Sequence, residues 1–464
     1  MTTLPFLMPT IVVAPAFVAL FGPRGIINTV VTNLFVPLPP LKLLDTIWII
    51  LLAHIFYNYT IVFRIVSGFW SNLDPQLGNA ARMLGAHRAR VFFEITLPLL
   101  RPAILAAALL VFIFDFTSFG VILILGGPRL ATLEVEIYRS AANLFDLNLA
   151  AALSLLQIFF TLVLIVVYTR LQARLAAPVR LRPQTITRRT LKTWGEKCFV
   201  AINLAATLIF LLAPLVILVF ESFRTPAGSA QAPQGIGLEN YTALNLNPRG
   251  SATFIPPTDA IRNSLLFASV TVALAVALGL VAAYATVRAR RGGGFLDAVF
   301  LLPLATSAVT LGFGYILAFS RAPFDFRAAV WLIPVAHTLV ALPLVIRSIL
   351  PLLREIQTNV REAAALLGAN PARVFAEIDL PIVMRAVIVG AVFAFTVSLG
   401  EFGATTLIAR PEWATMPLAI YRLLGQPGLT NYGQALALST ILMLVSAVAI
   451  AAMERARFGA GTEF

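Results

Sequence analysis

The sequence contains too little charge and too little cysteine for several common classes of protein. Only 12% of its 464 residues are charged, whereas 59% are hydrophobic, a balance that excludes an ordinary soluble surface. Cys198 is alone, which excludes an internal disulfide, and no Cys/His spacing suits a metal ion, so we expect no metal site. The pattern GxxxxGK[ST] is also absent, so we expect neither a phosphate-binding loop nor a cofactor in this chain.

Long apolar runs fill most of the sequence instead. A helix of about 20 apolar residues crosses the hydrocarbon core of a bilayer, and an open strand there would leave its amides unpaired. We therefore predict an all-α, polytopic protein embedded in the lipid bilayer, with about ten transmembrane helices. Four lie in the first half and six in the second, near residues 4–21, 46–67, 101–125 and 150–170, and near 198–220, 263–287, 296–319, 329–350, 384–408 and 432–453.

Basic residues outnumber acidic ones, 34 to 21, but they lie mainly in short segments beside the apolar runs. This distribution indicates membrane topology rather than nucleic-acid binding. The segment from Arg170 to Lys197 is strongly basic and the loop 221–262 is balanced, so we expect the first in the cytoplasm and the second outside. We predict a multi-pass protein of a bacterial-type plasma (inner) membrane, with both termini in the cytoplasm.

The second half of the sequence repeats the first at a constant offset of 283 residues. The run 79–85 matches the run 362–368, and the same offset places His54 on His337. No gap is needed from residue 53 to residue 139, and merely hydrophobic segments would not match His, Arg, Gly and Pro in one register. We predict a tandem duplication of parallel halves, related by a pseudo-twofold axis along the membrane normal. The predicted units are a first half, a basic cytoplasmic linker and a second half, at residues 1–172, 173–197 and 198–464.

The first half has two predicted spans fewer than the second. The surroundings of Pro9 correspond by pattern to those of Pro303 once a gap is allowed. Two explanations stay open: the chain starts late, or the protein is asymmetric.

One segment between spans carries a specific pattern in each half. In the second half it reads Glu-Ala-Ala, three residues, Gly, nine residues, Ile, one residue and Leu-Pro, and the first half has Asn in place of Glu. Gly in this context can adopt the left-handed conformation that ends a helix, Asn370-Pro371 is typical of a helix start, and Pro381 is expected to end the second helix before the chain re-enters the bilayer. The positions are Glu362, Ala363, Ala364, Gly368, Ile378, Leu380 and Pro381, and in the first half Asn79, Ala80, Ala81, Gly85, Ile95, Leu97 and Pro98.

This pattern resembles the cytoplasmic loop of the permeases of binding-protein-dependent ABC importers, and nearly the whole chain resembles fused permeases with two type I domains. The resemblance implies that ABC ATPase subunits, which bind the ATP, dock beneath both loops, and that an extracytoplasmic binding protein delivers the substrate. Because Asn79 replaces the glutamate, docking on that side would lack one polar contact. The stretches 114–138 and 398–425 look most like the thiamine and iron(III) group.

Two other classes of function are open to a hydrophobic, duplicated chain. An ion-gradient-driven secondary transporter can also carry parallel repeats, and a membrane scaffold or channel would need no energy source. The doubled loop pattern argues against both of these alternatives.

Charged side chains inside predicted spans raise a functional hypothesis, because they are costly in lipid. Asp115 and Glu401 lie at similar depths of equivalent spans. They could line a pathway that favours a cationic substrate, or each could pair with a neighbouring helix. For His54 and His337 we expect a structural hydrogen bond between helices rather than a ligand role.

Overall fold

The computed structural model of the chain is helical throughout the part that it describes. The only other regular pairing there is an isolated β-bridge between Arg224 and Ile236. The structure describes residues 8–34, 41–175, 193–224, 235–247, 250, 254–289, 296, 299–300, 302–303, 306–320, 323, 325–326 and 329–458.

The helices of the two halves are numbered in chain order. The first half contains α1 (Thr10–Phe21), α2 (Ile26–Leu34), α3 (Ile47–Ser71), α4 (Pro75–Met83), α5 (Arg88–Val91), α6 (Leu97–Phe116), α7 (Gly120–Leu125), α8 (Leu133–Tyr138) and α9 (Leu147–Leu175). The second contains α10 (Trp194–Ser222), α11 (Glu239–Thr242), α12 (Pro257–Arg288), α13 (Ala308–Ala318), α14 (Leu332–Glu355), α15 (Thr358–Leu366), α16 (Pro371–Val374), α17 (Leu380–Gly400), α18 (Gly403–Ile408), α19 (Met416–Gly425) and α20 (Leu429–Phe458).

The predicted all-α membrane fold is confirmed. Within the described residues, nine helical segments are long and apolar enough to cross a membrane. The tenth predicted span, 296–319, lies partly outside those residues, and its described part is the shorter apolar helix α13. The nine segments are Thr10–Thr32, Ile47–Ser71, Arg88–Phe116, Leu147–Leu171, Trp194–Ser222, Pro257–Arg288, Leu332–Glu355, Pro371–Gly400 and Leu429–Arg455.

The structure reproduces the repeat element by element. Helices α4, α5 and α7 recur at the offset of 283 residues as α15, α16 and α18, with identical bounds. Packing follows the same symmetry: α1 contacts α7 of its own half and α19 of the other, while α13 contacts α18 of its own half and α8 of the other. The two halves therefore pack against each other through equivalent helices. Most of the predicted linker, residues 176–192, lies outside the described part.

Helix α12 of the second half has no counterpart among the described helices of the first, and neither has α10. Helix α12 packs along α14 and α17 and buries Val345 and Ile346 almost completely. The equivalent residues on α3, Val62 and Phe63, are 40% and 46% exposed. The corresponding face of the first half is therefore open in this structure.

Two predicted spans, 101–125 and 384–408, are wrong as continuous helices. Helix α17 ends at Gly400 and helix α18 begins at Gly403, and α6 and α7 are separated in the same way. In the second half the break has a clear cause, because the carboxylate of Glu401 accepts hydrogen bonds from the amides of Ala404 and Thr405 at 2.8 and 3.0 Å. An acceptor in this position caps the start of α18, and hydropathy does not detect such a cap.

Candidate functional site

The segments that carry the repeated pattern form two helical elbows at equivalent positions. We define the first elbow as residues 75–96 and the second elbow as residues 358–379. In each, a nine-residue helix ends two residues before a glycine with positive φ, 87° at Gly85 and 84° at Gly368. As expected from the sequence, Asn370 caps the next helix by accepting a hydrogen bond from the amide of Arg373 at 2.8 Å.

The tip of each elbow exposes two consecutive large apolar side chains. These are Met83 and Leu84 in the first elbow and Leu366 and Leu367 in the second, and each is 89% exposed. Such paired exposure at equivalent sites is typical of a surface that another protein covers.

The pattern residues themselves divide by exposure. Residues 79, 80, 85, 362, 363, 368 and 381 are exposed, whereas residues 81, 95, 97, 98, 364, 378 and 380 are less so.

The second helix of each elbow does not end at its Leu-Pro pair, so that expectation is wrong. It continues through a π-helical segment, Phe92–Thr96 or Phe375–Asp379, directly into α6 or α17. The amide of Leu380 bonds the carbonyl of Phe375, five residues back. This wider turn lets Pro381, which has no amide hydrogen, enter the helix. Each elbow thus continues into a spanning helix.

Four aromatic residues from both halves form what we call the axial aromatic cluster: Phe119, Phe402, Tyr138 and Tyr421. The rings of Phe119 and Phe402 stack with their centroids 5.3 Å apart. Each also contacts the tyrosine of its own half, at centroid distances of 5.4 and 5.3 Å. Phe119 and Phe402 are equivalent in the repeat, and equivalent residues that touch must lie at the pseudo-twofold axis.

Asp115 belongs to a partly open polar cluster near the end of α6. Its Oδ1 accepts a hydrogen bond from the side-chain amide of Asn58 at 2.7 Å and lies 3.8 Å from His54 Nε2. His54 Nε2 is 2.9 Å from Ser118 Oγ. The side chain of Asp115 is 32% exposed, so one face of this carboxylate is free of protein.

Glu401 belongs to a closed cluster instead. Its side chain is 3% exposed, its Oε2 lies 3.3 Å from His337 Nε2, and it also accepts a hydrogen bond from the hydroxyl of Thr405. His337 joins α14 to α17 and α18 through Ser398 and Thr405, each at 2.8 Å. The interhelical hydrogen bond expected of His337 is therefore confirmed.

The two clusters exchange the places of serine and acid. At the repeat offset, Asp115 corresponds to Ser398 and Ser118 corresponds to Glu401. Each cluster thus contains one histidine, one serine and one carboxylate. This exchange of serine and acid is visible in the sequence at the repeat offset. It explains why Asp115 and Glu401 lie at similar depths but in different surroundings.

Glu134 on α8 is a buried carboxyl group that sequence reasoning missed. It accepts hydrogen bonds from Gln157 of its own half and from Ser307 of the other, and Thr310 donates to Gln157 at 3.3 Å. Burial raises the pKa of Glu134 from 4.5 to about 7, although these hydrogen bonds oppose the rise. Because its repeat equivalent is Pro417, the repeat offers no signal for this residue.

Replacing Glu134 with glutamine should flatten the pH dependence of stability. The carboxyl keeps its proton up to about pH 7 in the fold but only to about pH 4.5 when unfolded. The fold is therefore favoured at low pH and loses about 3 kcal/mol as the pH rises through this window. In thermal unfolding measured between pH 4.5 and pH 8, Glu134→Gln should remove most of this decrease in stability with rising pH. Glu136→Gln, a half-exposed acid on the same helix, should leave it unchanged.

Together, the tandem fold, the elbows and the axial cluster define a duplicated helical membrane transport protein. The family described as binding-protein-dependent transport system inner membrane component matches residues 1–181 and 275–457. The chain belongs to this family, whose members are permeases of ABC importers and multi-pass proteins of the inner membrane.

Several permeases are similar to the chain over more than half of its length. A probable ABC transporter permease protein of Sinorhizobium fredii is 26% identical over 98% of this chain and 80% of its own length. The thiamine transport system permease protein of Brucella abortus is 26% identical over 91% of this chain and 74% of its own. A putative 2-aminoethylphosphonate transport system permease protein of Salmonella typhimurium is 26% identical over 56% of this chain and 96% of its own.

Among solved structures, a bacterial ABC transporter involved in the import of the acidic polysaccharide alginate matches 57% of this chain and 94% of its own. Its TM-score is 0.41 and its sequence identity is 18%.

Proposed function

We propose that this chain forms both halves of the membrane pathway of an ATP-driven importer, with a pair of ABC ATPase subunits docked on its two elbows in the cytoplasm. The observation that carries the proposal is the doubled apolar tip: Met83 and Leu84, and Leu366 and Leu367, are almost fully exposed at equivalent positions. The chain itself then binds no ATP. An extracytoplasmic binding protein delivers the substrate from the opposite side, and both termini lie with the elbows in the cytoplasm.

The mechanism that we propose is alternating access. Each elbow is continuous with a spanning helix, α6 or α17. An ATPase pair that closes beneath the chain therefore moves those helices as rigid bodies. The axial aromatic cluster lies where α7 and α18 meet, and separation of the two halves would part Phe119 from Phe402. Closure of the ATPase pair opens the pathway outward, and hydrolysis returns it to the inward-facing state.

The substrate that we propose is a cation, with the organic cation thiamine first and ferric iron second. The similarity to a thiamine permease over 91% of the chain supports this order. Asp115 supports a cationic substrate because its carboxylate is partly exposed. Glu401 fits a structural role better, since hydrogen bonds from Ala404 and Thr405 occupy both of its oxygens.

The proposed function can be tested by reconstituting the chain in liposomes with the ATPase and binding protein encoded beside it. We expect uptake of labelled thiamine that requires ATP inside the vesicles and the binding protein outside them. A matched preparation without ATP but with an imposed ion gradient should show none. Uptake driven by the gradient alone would instead identify a secondary transporter, and ATP-dependent uptake of ferric iron would reverse the order of substrates.

A further inference from the structure

A buried ion pair ties the second elbow to the membrane helices above it. Asp379 closes the π-helical segment, and its side chain is fully buried. Its Oδ1 accepts a hydrogen bond from Arg361 Nε of α15 at 2.8 Å, and its Oδ2 accepts one from the hydroxyl of Tyr284 of α12 at 2.9 Å. Arg288 stacks over the Tyr284 ring at 4.4 Å and donates to its hydroxyl at 3.0 Å. We call Arg361, Asp379 and Tyr284 the latch.

The first elbow has no equivalent of the latch. At the repeat offset, Arg361 corresponds to Gly78 and Asp379 corresponds to Thr96, and neither can form an ion pair. The equivalent of Tyr284 is Met1, which lies outside the described residues. A different ion pair, however, is present in both elbows.

The duplicated pair is the exposed contact between Arg90 and Glu94, which recurs between Arg373 and Glu377, both at 2.9 Å. The buried pair is thus a specific difference between two otherwise matching elbows. The first elbow instead reaches α10 through Arg88 and Glu196, 3.3 Å apart, but Arg88 is 70% exposed. Exposed pairs contribute little to rigidity, because solvent screens them and both side chains stay mobile.

We infer that the latch positions the second elbow and makes it the stiffer of the two, so that it transmits most of the movement of the ATPase pair to the spanning helices. The inference rests on the proposed function of the elbows. Its physical basis is the buried charge: loss of either partner would leave the other uncompensated in a low-dielectric site. Because Asp379 contacts both α15 and α12, the elbow cannot tilt without breaking this contact.

Hydrogen exchange of the purified chain tests the latch without any partner. We expect amides of residues 358–366 to exchange about tenfold more slowly than those of residues 75–83, and Asp379→Asn to remove this difference. Tyr284→Phe, a milder variant, should remove part of it. Glu221→Gln, which breaks a 3.0 Å ion pair with Arg224 outside the elbows, should leave it intact. Equal exchange in the two elbows of the unmodified chain would overturn the inference.

Transport by the assembled importer tests the role of the latch in coupling. Asp379→Asn should lower the substrate moved per ATP hydrolysed about tenfold, with ATPase binding unchanged. The conservative variant Arg361→Lys should retain part of the coupling, and Glu221→Gln all of it. An unchanged ratio in Asp379→Asn would overturn the inference. Failure of the unmodified chain to bind any ATPase would instead overturn the proposed function. The hydrogen-exchange experiment uses no ATPase, so its outcome does not depend on that binding.

Discussion

Glutamate in place of Met83, Leu84, Leu366 and Leu367 is expected to abolish binding of the ATPase subunits. All four side chains are 89% exposed in the isolated chain, so docking would bury almost their whole apolar surface. Burial of one such side chain contributes roughly 1.5–3 kcal/mol. Two per elbow correspond to a loss of at least about a hundredfold in affinity for each docking site. Co-purification of the ATPase with the tagged chain measures this loss directly.

Variants confined to one elbow separate the two docking sites. We expect Leu366→Glu with Leu367→Glu to weaken binding more than the equivalent pair in the first elbow, since Asn79 there replaces Glu362 and leaves one polar contact fewer. The matched control is Ile236→Glu, which charges a side chain that is 72% exposed but distant in sequence from both elbows. Full ATPase binding by the fourfold variant, correctly inserted in the membrane, would contradict the docking surface.

Local sequence rules were sufficient to predict the shape of the elbows as far as the start of their second helices. The turn of each elbow depends on one glycine, and the cap in the second elbow depends on one asparagine. Both effects act within four residues. The same rules failed at Pro381, because they assume a helix with bonds between residues four apart. The π-helical segment shifts that spacing by one residue, which sequence alone does not reveal.

The axial aromatic cluster and the buried carboxyl groups show where sequence reasoning reaches its limit. The repeat predicts that Phe119 and Phe402 are equivalent, but only the packing of the halves brings their rings to 5.3 Å. The structural role of Glu401 depends on a break in a helix that hydropathy predicts to be continuous. Glu134 depends on Ser307, which is 173 residues away in the chain. Contacts between distant elements set these environments, and no local pattern encodes them.

Removal of both axial rings, by Phe119→Ala with Phe402→Ala, is expected to open a leak. The two phenylalanines are 8% and 3% exposed and stack on each other, so truncation leaves a cavity between the halves at the pseudo-twofold axis. Each truncation should also destabilise the fold by roughly 3–5 kcal/mol. Proteoliposomes of the double variant should pass small ions at least about tenfold faster than those of the unmodified chain, and uptake should require more ATP per substrate.

The control for this prediction must remove an aromatic ring of the same size away from the axis. Phe159 on α9 is 60% exposed, as expected of a lipid-facing residue, so Phe159→Ala should leave ion permeability unchanged. The milder pair Phe119→Leu with Phe402→Leu fills part of the cavity and should give an intermediate leak. Because leucine also costs less stability than alanine, this pair helps to distinguish a leak caused by an open axis from one caused by a destabilised fold. A tight double alanine variant that still transports substrate would show that the axial cluster holds the halves together without closing the pathway.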